Sequence, residues 1–131
     1  MQIRTIGLAV IAAAAFAAPA LAHHSFAMFD ADKTVTMKGV VKEFEWVNPH
    51  SWLRVTIQDP ATGRATQWAF EMGPPQQQIR RGWKPDSLKP GDAVTVNVHP
   101  LRDGSRGGQL LTATLPDGRT LGGAGAPAIQ D

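Results

Sequence analysis

The chain lacks cysteine, and its charges almost cancel. With no Cys among 131 residues, disulfides, thiolate metal sites and thiol catalysis are excluded. The formal net charge is only +2, so the sequence pI of about 9.4 rests on a small surplus and does not indicate a nucleic-acid partner. A nucleophile elbow, a glycine-rich phosphate loop and internal repeats are also missing. These absences argue against an enzyme.

The first 22 residues have the three-part pattern of a cleavable signal peptide. Arg4 belongs to a short positive segment, residues 6–18 are apolar, and Pro19 precedes the small-residue site at residues 20–22. The apolar run is short for a membrane span. The pattern predicts export to the periplasm, with no transmembrane segment after processing. Cleavage would leave 109 residues with 12 basic and 11 acidic side chains, which is enough for one domain.

Alternating hydrophobic residues predict a mainly β domain after the signal peptide. Leu53, Val55 and Ile57 share one face of a strand, and Val94, Val96 and Val98 share one face of another. We expect a bulge at Gly39, with Val40, Phe44 and Trp46 pointing inward after it. Val55, Val96 and Leu111 are predicted core residues. The predicted strands cover residues 34–47, 52–58, 66–71, 93–99 and 109–115, with a short terminal strand at 119–121.

One short helix interrupts the strands. Pro74 and Pro75 can open a helix because a proline in the first turn loses no needed hydrogen bond, and Gly82 ends it. Three strands, a helix and two strands are the order of the five-stranded OB-fold, a Greek-key barrel, with a small antiparallel sandwich as the competing architecture. We therefore expect an all-β OB-fold-like barrel over residues 34–121. The signal peptide (1–22), an extended arm (23–33) and a disordered tail (122–131) surround it.

Short motifs along the chain resemble one bacterial family. They are His23-His24-Ser25-Phe26, Trp46-Val47-Asn48-Pro49-His50, Gly73-Pro74-Pro75, Arg80-Arg81-Gly82-Trp83, Ser87-Leu88-Lys89-Pro90-Gly91-Asp92 and Leu115-Pro116-Asp117-Gly118. In this order they resemble the small exported proteins of domain-of-unknown-function family 6152, over nearly the whole mature chain. The resemblance implies an exported single-domain architecture, and it places the two-histidine pair and the Asn48-Pro49-His50 turn in the family pattern. It implies no activity, and His99 matches no motif.

Two histidines directly follow the predicted cleavage site. Cleavage after Ala22 would make His23 the first residue, so that its α-amino group and imidazole could chelate Cu(II) or a similar ion. The preferred third ligand is His50, on a tight turn, and His24 is the other candidate. His99 is expected near the start of the first strand, with His50 and His99 at opposite ends. Against this hypothesis, the two histidines could be a polar arm only, and His50 could simply cap a turn.

Aromatic and charged residues suggest weaker candidate sites. Trp46, Trp52, Trp68 and Trp83 could form an aromatic platform for a sugar or peptidoglycan fragment, although such tryptophans more often pack in a core. The candidate ligand-binding residues are Trp46, Asn48, Trp52 and Trp83. Basic residues after the helix could bind phosphate but more simply complement the helix dipole. Glu43 and Glu45 share a strand face without a substrate pocket, which does not favour catalysis.

The sequence as a whole predicts a monomeric, non-enzymatic, exported binding module with a copper site at its mature N-terminus. The alternative is a metal-free module that recognises a cell-envelope protein or glycan through the barrel face. A copper-dependent enzyme is a third hypothesis. The partner would be a metal ion, an envelope protein or a glycan, and not a nucleic acid.

Overall fold

A computed structural model of the chain describes residues 26–123; predictions on residues 1–25 and 124–131 lie outside this part. After a 3-10 helix at Phe26–Met28, one helix, α1 (Pro75–Arg80), stands between the third and fourth strands of the described chain. The strands are β1 (Val35–Glu45), β2 (Trp52–Gln58), β3 (Ala65–Glu71), β4 (Ala93–Pro100), β5 (Gly107–Thr114) and β6 (Thr120–Gly122).

Strands β1 to β5 close into a barrel. Their order is β3-β2-β1-β4-β5, with β6 added to β5, and a parallel pairing between β3 and β5 completes the ring. The long strand β1 serves both halves, since Val35–Val40 pair with β4 and Val40–Glu45 pair with β2. This connectivity, with α1 between β3 and β4, confirms the predicted OB-fold-like Greek-key barrel.

The inward faces of β2 and β4 follow the predicted alternation. Leu53 and Val55 are fully buried and Ile57 nearly so, while the residues between them are partly exposed. In β4 the same holds for Val94, Val96 and Val98. Because side chains alternate between faces with a period of two, these runs fix which side of each strand faces the barrel interior.

The bulge in β1 lies at Lys42 and not at the predicted Gly39. The register with β2 shifts between Val41 and Glu43, so that Val41 is buried and Val40 is 46% exposed, contrary to prediction. Gly39 has a different role. A Cβ there would lie 2.5 Å from the carbonyl oxygen of Thr56, so glycine allows β1 to approach β2 closely where the barrel bends.

A second bulge moves the core position in β5. Asn97 pairs with Thr112 and Val98 with Leu110, which leaves Leu111 as the extra residue. Leu110 is therefore fully buried, whereas Leu111 is partly exposed. The prediction of Leu111 as a core residue is wrong by one position, while Val55 and Val96 are core as predicted.

The segment after α1 closes one end of the barrel. Trp83 and Leu88 belong to the core cluster, and the ring of Trp83 lies 5.5 Å from that of Phe44. The Trp83 indole donates a hydrogen bond to the carbonyl of Gly122 at 2.8 Å, and Gly123 is buried. The predicted tail at 122–131 therefore begins with two residues that belong to the fold.

The described part of the predicted arm is not simply extended. Its 3-10 helix precedes Phe29, which is 4% exposed and forms an isolated β-bridge with Leu101. The amide of Arg102 donates to the carbonyl of Met28 at 3.0 Å. The arm is thus attached to the loop between β4 and β5. Within residues 26–123, no helix has the length and apolar character needed to cross a membrane.

Candidate functional site

His50 lies in the loop between β1 and β2, held by two acceptors. Its Nδ1 is 3.3 Å from the carbonyl oxygen of Met72 and 3.3 Å from Oε1 of Glu71. A carbonyl oxygen and a carboxylate oxygen can only accept, so Nδ1 carries the proton. In the neutral imidazole the lone pair is then on Nε2. The side chain is 20% exposed, and the loop therefore presents an oriented imidazole at the barrel surface.

Glu71 is the residue of this candidate site that sequence reasoning missed. It ends β3 on the face opposite the buried Phe70, and its side chain is only 7% exposed because the His50 loop lies next to it. A buried carboxylate is costly unless it is paired or hydrogen-bonded. The signal in the sequence that could have identified Glu71 is its position, as a single acidic residue between Phe70 and Met72 at the end of an apolar strand.

Glu71 starts a row of register partners that runs across the barrel surface. It pairs with Gln109 of β5, and Gln109 pairs with His99 of β4. Gln109 is also buried, with 8% exposure. The row therefore connects the surroundings of His50 to His99 in two steps between neighbouring strands. His50 and His99 therefore lie near one row of the barrel surface and not at opposite ends of the barrel, as was expected from the sequence.

His99 holds the root of the arm, as its predicted position near the start of β1 suggested. Its Nδ1 is 2.7 Å from the carbonyl oxygen of Lys33. Neighbouring strands are about 4.8 Å apart, so two steps along the row put the Cα atoms of Glu71 and His99 about 10 Å from each other. The arm and the His50 loop thus approach the same part of the barrel surface.

The predicted aromatic platform is only partly assembled. Trp46 packs against the core, edge-on to Phe44 at 5.8 Å, and Trp83 is 1% exposed. A buried Trp83 does not fit the role of a surface platform. Trp52 is partly exposed on the outer face of β2, where it pairs with Glu71. Asn48 is exposed in the loop and precedes Pro49 through a cis peptide bond.

An ion cluster lies beside Trp52 on the same face. Arg54 donates to both carboxylate oxygens of Glu45, at 2.8 and 3.3 Å, and Glu43 lies 3.8 Å from its Nε. The hydrogen bond that Arg54 donates to Glu45, with the charges of both carboxylates, raises the pKa of Arg54 above its ordinary value. The two glutamates are thus occupied by one guanidinium, an arrangement that does not resemble an acid/base pair.

The metal ligands predicted from sequence divide between the two parts of the chain. His23 and His24 lie outside the described residues. Across residues 26–123, no group of three or more His, Asp or Glu side chains is arranged to hold a metal ion. Of the predicted metal ligands, His50 is the one that lies within the described residues.

Comparisons with known proteins agree with the resemblance seen in the motifs. A model of the family of unknown function DUF6152 matches residues 10–111. The fold defines the class, a small OB-fold-like barrel protein. The chain belongs to the DUF6152 family. No curated protein and no solved structure matches the chain.

Proposed function

We propose that this protein is an exported, non-enzymatic binding module that holds copper between its mature N-terminus and His50. The observation that supports this proposal most is the orientation of His50 by Glu71 and the Met72 carbonyl. Histidines that bind metals usually donate their second ring N–H to a carboxylate or a backbone carbonyl, which fixes the tautomer and increases ligand basicity. His50 has both acceptors.

The terminus would supply the chelating group. After cleavage at Ala22, His23 offers an amine and an imidazole on one residue, and His24 or His50 adds another imidazole. Such nitrogen ligands suit Cu(II). Phe26–Met28 form a 3-10 helix, which leaves three residue steps between His23 and Phe26 that can reach up to about 10 Å. This reach is about as long as the row from His99 to Glu71.

The terminal amine provides the most direct test. Intact mass of the exported protein should correspond to a start at His23. Isothermal titration with Cu(II) would compare this protein with a variant that carries one Gly before His23. We expect binding to weaken at least roughly tenfold, or 1.4 kcal/mol, because the amine no longer belongs to the chelating residue. Equal affinities would contradict the copper proposal.

Substitutions at the loop test the second half of the site. His50→Ala should weaken copper binding, and Glu71→Gln should weaken it less, because the amide oxygen still accepts from Nδ1 without the negative charge. His99→Asn is the matched control, since its amide can still donate to the Lys33 carbonyl. Binding should also weaken below about pH 6, where imidazole ligands become protonated. If all three variants bind equally well, His50 is not a ligand.

The second candidate is a metal-free module that recognises an envelope glycan or protein. The observation that favours it is the partly exposed ring of Trp52 beside the Arg54–Glu45 ion pair, because an aromatic face with planar polar neighbours suits a sugar ring. Titration of the metal-free protein with soluble peptidoglycan fragments would test it. Shifts in the NMR spectrum that disappear in Trp52→Ala, and that copper does not change, would favour this function instead.

A further inference from the structure

The two ends of the barrel differ in what covers them. The segment after α1 inserts Trp83 and Leu88 at one end. At the other end the inward-facing side chains of Met37 and Trp68 are only partly buried, although both pack against the core. They form the floor of a cleft of about 310 Å³, together with Ile57 and Pro60. Apolar side chains thus remain accessible at this end of the barrel, which we call the mouth.

Two arginines stand at the edge of this mouth. Arg106 lines the apolar cleft and also an adjoining polar cleft of about 410 Å³, which Arg64 lines as well. Neither guanidinium forms an ion pair with another residue of the described range. One carboxylate, that of Asp59, lines both clefts, and its Oδ1 accepts a hydrogen bond from the amide of Ala61 at 2.8 Å. The two cations therefore exceed the local negative charge.

From this juxtaposition we propose that the mouth binds a small carboxylate with an apolar body. The apolar part lies on Met37 and Trp68, and the carboxylate faces the guanidinium of Arg106. This site is on the opposite end of the barrel from Trp83. It does not depend on the copper proposal, because it shares no residue with the His50 loop.

Size and polarity favour this class of ligand. A cleft of about 300 Å³ is at the lower limit of small-molecule sites, which are mostly apolar with a few placed polar groups, and barrel mouths are a common location. The indole N–H of Trp68 already donates to Oγ1 of Thr66 at 3.0 Å. The ring therefore offers its apolar surface. A guanidinium fork binds a carboxylate through two parallel hydrogen bonds, which adds specificity for that group.

The test compares octanoate with octanamide, which has the same chain and no charge. Both would be titrated into the ¹⁵N-labelled protein, with the Trp68 indole signal as the main reporter. We expect octanoate to shift this signal with a Kd of about 1 mM or tighter and octanamide to bind more weakly. Failure of octanoate to shift it, or equal affinity of the two compounds, would overturn the proposal.

Charge variants give predictions of opposite sign. Arg106→Gln should weaken octanoate binding about fivefold, because one unit charge at hydrogen-bond distance in water has an effect of that order. Asp59→Asn should strengthen it, since its Oδ1 still accepts from Ala61 while the repulsive charge is gone. Arg119→Gln, in the exposed turn with Asp117, is the control and should change nothing. Equal effects of Arg106→Gln and Arg119→Gln would refute the site.

Discussion

Replacing Leu110 with Ala should destabilise the protein much more than the same change at Leu111. Leu110 is fully buried, so truncation removes about three buried carbons at about 0.8 kcal/mol each and leaves a cavity. The expected loss in the free energy of unfolding is about 3 kcal/mol, within the usual range of about 2–5 for such changes. Leu111 is the bulged, partly exposed residue, and its loss should be about 1 kcal/mol.

Urea unfolding and thermal unfolding would measure both variants against the unchanged protein. Both experiments would be followed by tryptophan fluorescence and far-UV circular dichroism. In a domain of this size each kcal/mol shifts Tm by about 4–8 °C, so a difference of about 2 kcal/mol separates the two variants by about 8–16 °C. The comparison controls for composition, because the same side chain is truncated at adjacent positions. If Leu111→Ala costs as much as Leu110→Ala, the bulge in β5 is misplaced.

Three further predictions concern stability and charge. Val96→Asp should bury an unpaired carboxylate and abolish the folded circular dichroism spectrum; a cooperative thermal transition would contradict this. Gly39→Ala should lower the free energy of unfolding by about 1–3 kcal/mol through its clash with Thr56, and unchanged urea unfolding would speak against the close approach. The hydrogen bond from Lys33 lowers the pKa of Asp30. The Asp30 carboxylate should therefore stabilise the fold until the pH falls through this lowered pKa. If Lys33→Ala leaves the NMR titration of Asp30 unchanged, Lys33 is not the cause of the lowered pKa.

Local alternation was a sufficient guide where strands are regular. In β2 and β4, every second residue is buried without interruption, and the sequence pattern alone identified both inward faces. The order of the elements, with one proline-opened helix after the third strand, also predicted the barrel. These features depend on neighbouring residues and on chain order, which the sequence contains directly.

The same reasoning failed at the two bulges for a physical reason. An extra residue reverses the phase of alternation, and its place is decided by the partner strand. In β1 the bulged residue is Lys42, because of the register with β2. In β5 it is Leu111, because of the register with β4. A glycine such as Gly39 suggests an irregular strand but serves here for close approach. Sequence alone does not distinguish these two uses.

The candidate site was predicted in part for a similar reason. The turn that contains His50 was visible because Asn48 and Pro49 mark it. Its partner Glu71 is 21 positions further along the chain, at the end of a strand in which it reads as an ordinary boundary residue. For Trp83 the sequence left two interpretations open, a surface platform and packing in the core. Only the packing of Trp83 against Phe44 at 5.5 Å reveals it as a core residue.

Closure of the barrel explains how both ends of β1 approach one surface row. Glu45, the last residue of β1, pairs with Trp52, and the row continues through Glu71 and Gln109 to His99. The neighbour of His99, Val98, pairs with Val35, the first residue of β1. One circuit, with a step of one residue from His99 back to Val98, therefore returns to β1 ten positions before Glu45, as a strongly staggered barrel requires. The loop after β1 and the arm before it are thus connected by four strands of register partners, although the whole length of β1 separates them in sequence. The copper proposal depends on this stagger, because it requires a ligand before β1 and His50 after it to meet on one surface.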